Sequence, residues 1–163
     1  MTYAEDLLKL AEELVETDPA SPRQACYRRS VSIAYYAIFH LLIEAATLNW
    51  GRAELRSDLG RVFEHGRMRS ASARQSSSIH DAHKKSPPTT VTQHLVVVAD
   101  TFIKLQQRRH EADYDTGKEW SRTDVQKLVA EVSEAFGKWS EIRHEPAAQA
   151  YLVSLLGTRA RSE

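Results

Sequence analysis

The sequence predicts an all-α protein, an antiparallel helical bundle of four to five main helices with a short C-terminal helix, and three observations point to it. Apolar residues recur at three- and four-residue steps over long stretches, the period of a helix with one buried face. Glycine and proline, 6 and 5 in number, fall mostly between those stretches, where helices start and stop. No segment alternates convincingly with the period of two expected of a half-buried strand. Leu95 to Val98 is apolar enough for one, but it lies inside a longer helical pattern.

The first helix starts at Thr2, because Thr2 and Glu5 have the Thr-x-x-Glu form of a capping box. Tyr3, Leu7, Leu10, Ala11 and Leu14 mark its apolar stripe. Residues 1–20 hold six acids and one lysine, a net charge of −5 that reads as a solvated outer face. Pro19 and Pro22 break the chain, and Ser21 with Gln24 repeats the box pattern. A long helix follows over 22–49. In it Tyr27, Val31, Ala34, Ile38, Leu41, Ala45 and Leu48 form a stripe that Ile33, Ala37 and Leu42 widen, so this helix is central and heavily buried.

A shorter helix covers 53–65, carrying Leu55, Leu59, Val62 and Phe63. From 69 to 90 the chain is rich in serine and nearly devoid of large apolar residues, which predicts a flexible loop. Thr90 with Gln93 opens a helix over 91–113, with Val91, Leu95, Val98, Phe102 and Leu105 inward. Ser121 with Asp124 opens the next, with Val125, Leu128, Val132, Ala135, Phe136, Trp139 and Ile142 inward. Pro146 interrupts it, and Tyr151, Leu152, Leu155 and Leu156 belong to a short last helix. Residues 1–157 are thus expected to form a single domain, and 158–163 a polar tail.

Composition narrows the function classes. Lys+Arg and Asp+Glu number 22 each, which excludes a generally basic nucleic-acid coat. The charge is unevenly placed, however. Residues 22–74 hold nine arginines and four acids, a net of +5, and Lys84 and Lys85 follow. This basic side is the strongest local sign of nucleic-acid binding, although no aromatics interleave it for base stacking. The single cysteine, Cys26, excludes a disulfide framework and a cysteine-rich zinc site. His80 and His83 are spaced for one ion on a helix but have only Asp81 beside them, so no metal is expected. No Gly-rich phosphate loop and no Gly-x-Ser-x-Gly occur, so no cofactor is expected. The N-terminus does not read as a signal peptide and no uninterrupted apolar run reaches membrane-spanning length. A cytoplasmic protein without a membrane partner is therefore expected.

The segment RRSVSIAYYAIFHLLIEAA, Arg28 to Ala46, resembles the second helix of bacterial and archaeal HEPN-domain proteins, with its basic pair, paired tyrosines and Phe-His. RVFEHGRM, Arg61 to Met68, and LQQRRHEADYD, Leu105 to Asp115, fit the same group. The resemblance covers roughly residues 23–157. It implies an antiparallel bundle of four or five helices, commonly a homodimer, that binds RNA or a nucleotide. It also implies a place in toxin–antitoxin, defence or stress systems, often beside a nucleotidyltransferase partner protein. Catalytic members of the family are metal-independent ribonucleases that use an Arg, a polar residue and a His with four to six residues between the Arg and the His, near the start of a late helix.

This sequence departs from that motif. Arg143 and His144 are adjacent, as are Arg109 and His110, and Arg61 and His65 have only three residues between them. Arg74 and His80 have the spacing but lie in the expected loop. The favoured reading is therefore a non-catalytic or weakly catalytic module that binds RNA, a nucleotide or a partner protein. The alternative is a metal-independent ribonuclease. In it His65, His110 or His144 would act as general acid or base, and Arg109 or Arg143 would stabilise the developing charge.

Candidate ligand contacts are Arg28, Arg29, His40, Asp113 and Tyr114. His40 is either a base or RNA contact or a buried histidine satisfied by a neighbouring helix. Arg28 and Arg29 start a helix, a poor end for positive charge, and would answer Glu111 or Asp113 at the far end of an antiparallel neighbour. With Arg29, Arg109, Asp113 and Tyr114 lining it, that meeting point could instead be a polar cleft for a phosphate or a nucleotide. Three tryptophans, Trp50, Trp120 and Trp139, exceed what a small core needs, which suggests one at a dimer interface.

Overall fold

The structure, a computed structural model, describes residues 1–17, 20–21 and 23–157. It is an all-α helical bundle. Among the described residues there are seven α-helices and no strand. They are α1 (Tyr3–Glu16), α2 (Gln24–Leu48), α3 (Arg56–Gly60), α4 (His65–His83), α5 (Thr90–Tyr114), α6 (Arg122–Ile142) and α7 (Pro146–Ser154), with a 3₁₀ turn at Ala53–Leu55 before α3.

The starts of the helices follow local chemistry. Thr2 caps α1 with both bonds of the capping box: its hydroxyl accepts from the Glu5 N–H, and the Glu5 carboxylate accepts from the Thr2 N–H at 2.7 Å. Ser121 caps α6 by accepting from the Asp124 N–H at 3.1 Å. Pro146 occupies the first turn of α7, where its missing N–H costs nothing. Two predicted boxes are corrected. At α5 the reciprocal pair is Thr89 with Thr92, one residue earlier than Thr90 and Gln93. At α2 the Gln24 side chain instead bonds the backbone of Trp120 in both directions, at 2.8 and 2.9 Å.

Within the span expected to be one domain, the chain divides into two compact units, Met1–Leu41 with Thr101–Gly137, and Leu42–Asp100 with the chain from Lys138 onward. The helices α2, α5 and α6 contribute to both. A 25-residue helix is about 38 Å long, so its two ends have different neighbours.

In the first unit, α2 buries Tyr27, Val31, Ala34, Ala37 and Ile38 of its predicted stripe completely or nearly so, together with Tyr35, whereas Ile33 and Leu41 are half-buried. Further along the helix Ala45 is half-buried and Leu48, at its end, is exposed. The length and composition of α2 alone would allow a membrane span, and half of its most apolar window is buried inside the protein. The expectation concerned an uninterrupted apolar run; this segment is apolar on average but is interrupted by polar residues such as Ser32 and His40. The stripe of α1 is offset from the prediction. Ala4, Leu8, Ala11 and Val15 are buried, whereas Tyr3 and Leu10 are exposed. Two apolar rows run side by side on this helix, and the one containing alanines permits the closer approach. Ser30 uses it, its hydroxyl donating to the Ala11 carbonyl at 2.7 Å. Tyr3 instead sets its ring edgewise against His40, 4.9 Å between centroids.

The second unit holds the largest correction. The segment expected to be a flexible loop over 69–90 lies mostly within α4, a 19-residue helix, and only the stretch after His83 leaves it. Its buried stripe is Met68, Ala71, Ser72, Ser76 and Ile79, a proper three- and four-residue spacing built from small residues. The helix expected over 53–65 shrinks to the 3₁₀ turn and α3, and of its four apolar residues only Phe63 is buried. The polar tail predicted at 158–163 lies outside the described residues.

Candidate functional site

Arg28, near the start of α2, reaches the end of α5, as antiparallel packing predicts. Its partners are not the expected carboxylates of Glu111 and Asp113. The guanidinium donates to the carbonyls of Ala112 at 2.9 Å, Asp115 at 2.8 Å, Thr116 at 3.4 Å and Lys118. The last carbonyls of a helix lack intrahelical partners, and a planar fork of five N–H donors can collect several of them. Arg28 is thus a clamp on the end of α5, with both of its terminal nitrogens engaged, while Arg29 is exposed to solvent.

One turn inward sits a second cation. The Arg109 guanidinium lies 5.3 Å from the Tyr35 ring centroid and 5.9 Å from that of Tyr36. Its Nη1 donates to Asp113 Oδ2 at 3.4 Å, and its Nε is buried without a partner. Ser32 donates its hydroxyl to the other oxygen of Asp113. Burial pushes the Tyr35 phenol well above its ordinary range, against the opposing pull of Arg109. The paired tyrosines therefore form an aromatic seat for Arg109, and Asp113 is its counter-ion. Tyr114 is exposed beside the exposed His110, 5.0 Å between ring centroids. His40 is half-buried between Tyr3 and Phe39, in an edge-to-face arrangement with each ring.

The predicted catalytic residues fall into different units. Arg109 and His110 belong to the first; His65, Arg143 and His144 belong to the second. Arg109 and His110, as helix neighbours, point about 100° apart, and Arg109 is turned to the tyrosines. His65 is the half-buried first residue of α4, and the nearby Arg61 is paired with Asp58 at 3.3 Å. Arg143 and His144 do meet, with Arg143 Nε donating to His144 Nε2 at 3.1 Å in an exposed position. That bond occupies the lone pair a general base would use. Arg74 and His80 stand on α4 rather than in a loop, and six residues place them about 120° apart around the helix.

The histidines of α4 are engaged too. His80 Nε2 is 3.4 Å from Asp100, and His83 Nε2 is 2.9 Å from the Thr92 hydroxyl. No group of three or more histidine, cysteine or acidic side chains converges among the described residues. Cys26 is a half-buried free thiol.

What sequence reading missed is the outward face of α4. Arg67, Ser70, Arg74, Ser77 and Ser78 are all exposed, and their spacing puts them on one stripe of the helix. Arg67 is paired loosely with Glu64 at 3.2 Å, and Arg74 has no ion-pair partner among the described residues. The signal was present in the sequence as Arg67 and Arg74 seven residues apart, two helical turns, once the segment is known to be a helix. The chain matches no protein-family model, no curated protein and no solved structure.

Proposed function

We propose that the protein is a non-catalytic, HEPN-like RNA-binding module. The observation that carries this reading is the exposed Arg–Ser stripe of α4, which offers two guanidiniums and three hydroxyls along one line. Such groups bond phosphate oxygens and sugar rather than base edges. The absence of aromatics on that stripe agrees with backbone recognition rather than stacking. The engaged terminal nitrogens of Arg28 and the seated guanidinium of Arg109 count against a catalytic role for either in the first unit.

The reading includes a homodimer in a toxin–antitoxin or defence setting with a nucleotidyltransferase partner, as the HEPN resemblance implies, and a cytoplasmic location, as the reading of the sequence expects. Leu48, Trp50 and Leu55 support the dimer. They are 61%, 50% and 44% exposed, close in the chain, and Arg56 holds the Leu48 and Trp50 carbonyls at 3.3 and 3.0 Å. Trp120 and Trp139, in contrast, are buried.

The test is fluorescence anisotropy of a labelled single-stranded RNA at two salt concentrations, with the wild-type protein and an Arg67→Gln/Arg74→Gln variant. The variant should bind more weakly, and its salt dependence should be shallower by roughly 0.7 for each phosphate it no longer neutralises. Equal affinity and slope would remove α4 from the interface. The alternative, a metal-independent ribonuclease, draws on the exposed Arg143–His144 pair. RNA cleavage in EDTA that is abolished in His144→Ala, His110→Ala or His65→Ala would establish it in place of the binding module.

A further inference from the structure

The first unit contains a cavity of about 280 Å³ lined by Lys104, Arg108, Lys118, Trp120, Asp124 and Lys127. Four cations from three chain segments converge there. Lys104 and Arg108 are one turn apart on α5, Lys118 lies in the connection, and Lys127 follows the first turn of α6. None of these residues figures in the predicted site.

The cations are incompletely neutralised. Glu131 pairs with Lys104 at 2.7 Å, and Glu111 is shared between Arg108 at 2.9 Å and Lys118. Lys127 is exposed and has no ion-pair partner among the described residues. The single lining acid, Asp124, is turned to the cap of α6, where it accepts from the Ser121 hydroxyl at 2.7 Å. An ammonium carries three N–H donors and a guanidinium five, so donors remain after these pairs are counted. The start of α6 adds its own partial positive charge.

Trp120 supplies an independent sign. It is 4% exposed, and its indole Nε1 is buried without a hydrogen-bond partner. An indole N–H can only donate, and a buried donor left unmade is costly. The Lys118 ammonium lies over the ring, 4.4 Å from its centroid, and both side chains line the cavity.

We propose that this cavity binds a small phosphate-bearing anion. Single carboxylates are already supplied by Glu111 and Glu131. A phosphate, with more charge and several acceptor oxygens, can engage Arg108, the lysines and the indole together. The volume suits a small molecule rather than a polymer. The inference does not rest on RNA binding by α4.

The experiment is isothermal titration with inorganic pyrophosphate of the wild-type protein and of Lys127→Gln, Trp120→Phe and Arg74→Gln. Lys127→Gln changes an exposed side chain, so its fold is safe, and far-UV circular dichroism checks Trp120→Phe. The expected result is saturable binding weakened about tenfold in each of the first two variants and unchanged in Arg74→Gln. No binding at millimolar pyrophosphate would overturn the proposal. So would binding indifferent to Lys127, or binding abolished in Arg74→Gln, which would assign the anion to α4.

Discussion

The hydroxyls of Ser72 and Tyr151 share a hydrogen bond of 2.7 Å in the interior of the second unit, where both residues are fully buried. The Ser72 hydroxyl also bonds the Met68 carbonyl at 2.8 Å. Serine can therefore face the interior of α4 without leaving a polar atom unmade, and α4 packs on α7 through it.

The two sides of this bond are unequal. Ser72→Ala strands a buried phenol and should cost about 1–3 kcal/mol; Tyr151→Phe leaves Ser72 its bond to Met68 and should cost about 1 kcal/mol or less. Urea denaturation of the two variants checks the order.

Arg28→Ala should destabilise the fold by about 2–3 kcal/mol, because it leaves carbonyls at the end of α5 without donors and removes a charged partner. Arg28→Lys should recover only part of that stability, since an ammonium lacks the planar fork. Denaturation midpoints at neutral pH measure both.

Glu111 carries a pH dependence. The Lys118 ammonium, then the Arg108 guanidinium, hold its carboxyl down to about 2, against the opposing effect of burial. A depressed carboxylate contributes stability that is fully present above its ordinary value of about 4.5 and is lost as pH falls toward about 2. Glu111→Gln should therefore cost about 1–2 kcal/mol at neutral pH, discounted for partial exposure. The difference from wild type should shrink as pH drops below about 4.5. Paired denaturation curves across that window test it.

Two of the six tyrosines should ionise late. Burial pushes both Tyr35 and Tyr151 up, and Ser72 opposes the shift at Tyr151. A phenol raised in the folded state weakens folding as pH rises through its unfolded value of about 10. An alkaline absorbance titration should show these two deprotonating only with unfolding, and Tyr151→Phe should remove one of them from that late step.

Trp50→Ser should shift the protein toward monomer if the exposed Leu48–Trp50–Leu55 surface is the dimer interface, while leaving helicity unchanged. Sedimentation at matched concentration reads the outcome, and an unaltered mass would exclude Trp50.

Helicity, and the limits of most helices, are legible in the residues alone. Periodicity, caps at Thr2 and Ser121 and the proline at Pro146 are local properties, and local hydrogen bonds enforce them. The burial of α2 and the meeting of its start with the end of α5 are legible in the same way, from the apolar stripe and the antiparallel connection. Folding was needed to reveal that α4 is a helix. Ser72 and Ser76 read as loop residues until Tyr151 and Asp100 are there to hydrogen-bond their hydroxyls. The same holds for Arg28, whose expected partners were carboxylates. Backbone carbonyls carry no signature in the side-chain sequence, so a clamp on a helix end is invisible until the chain has folded. The basic cavity was hidden for a related reason: Lys104, Lys118 and Lys127 are far enough apart in the chain that only packing brings them to one place.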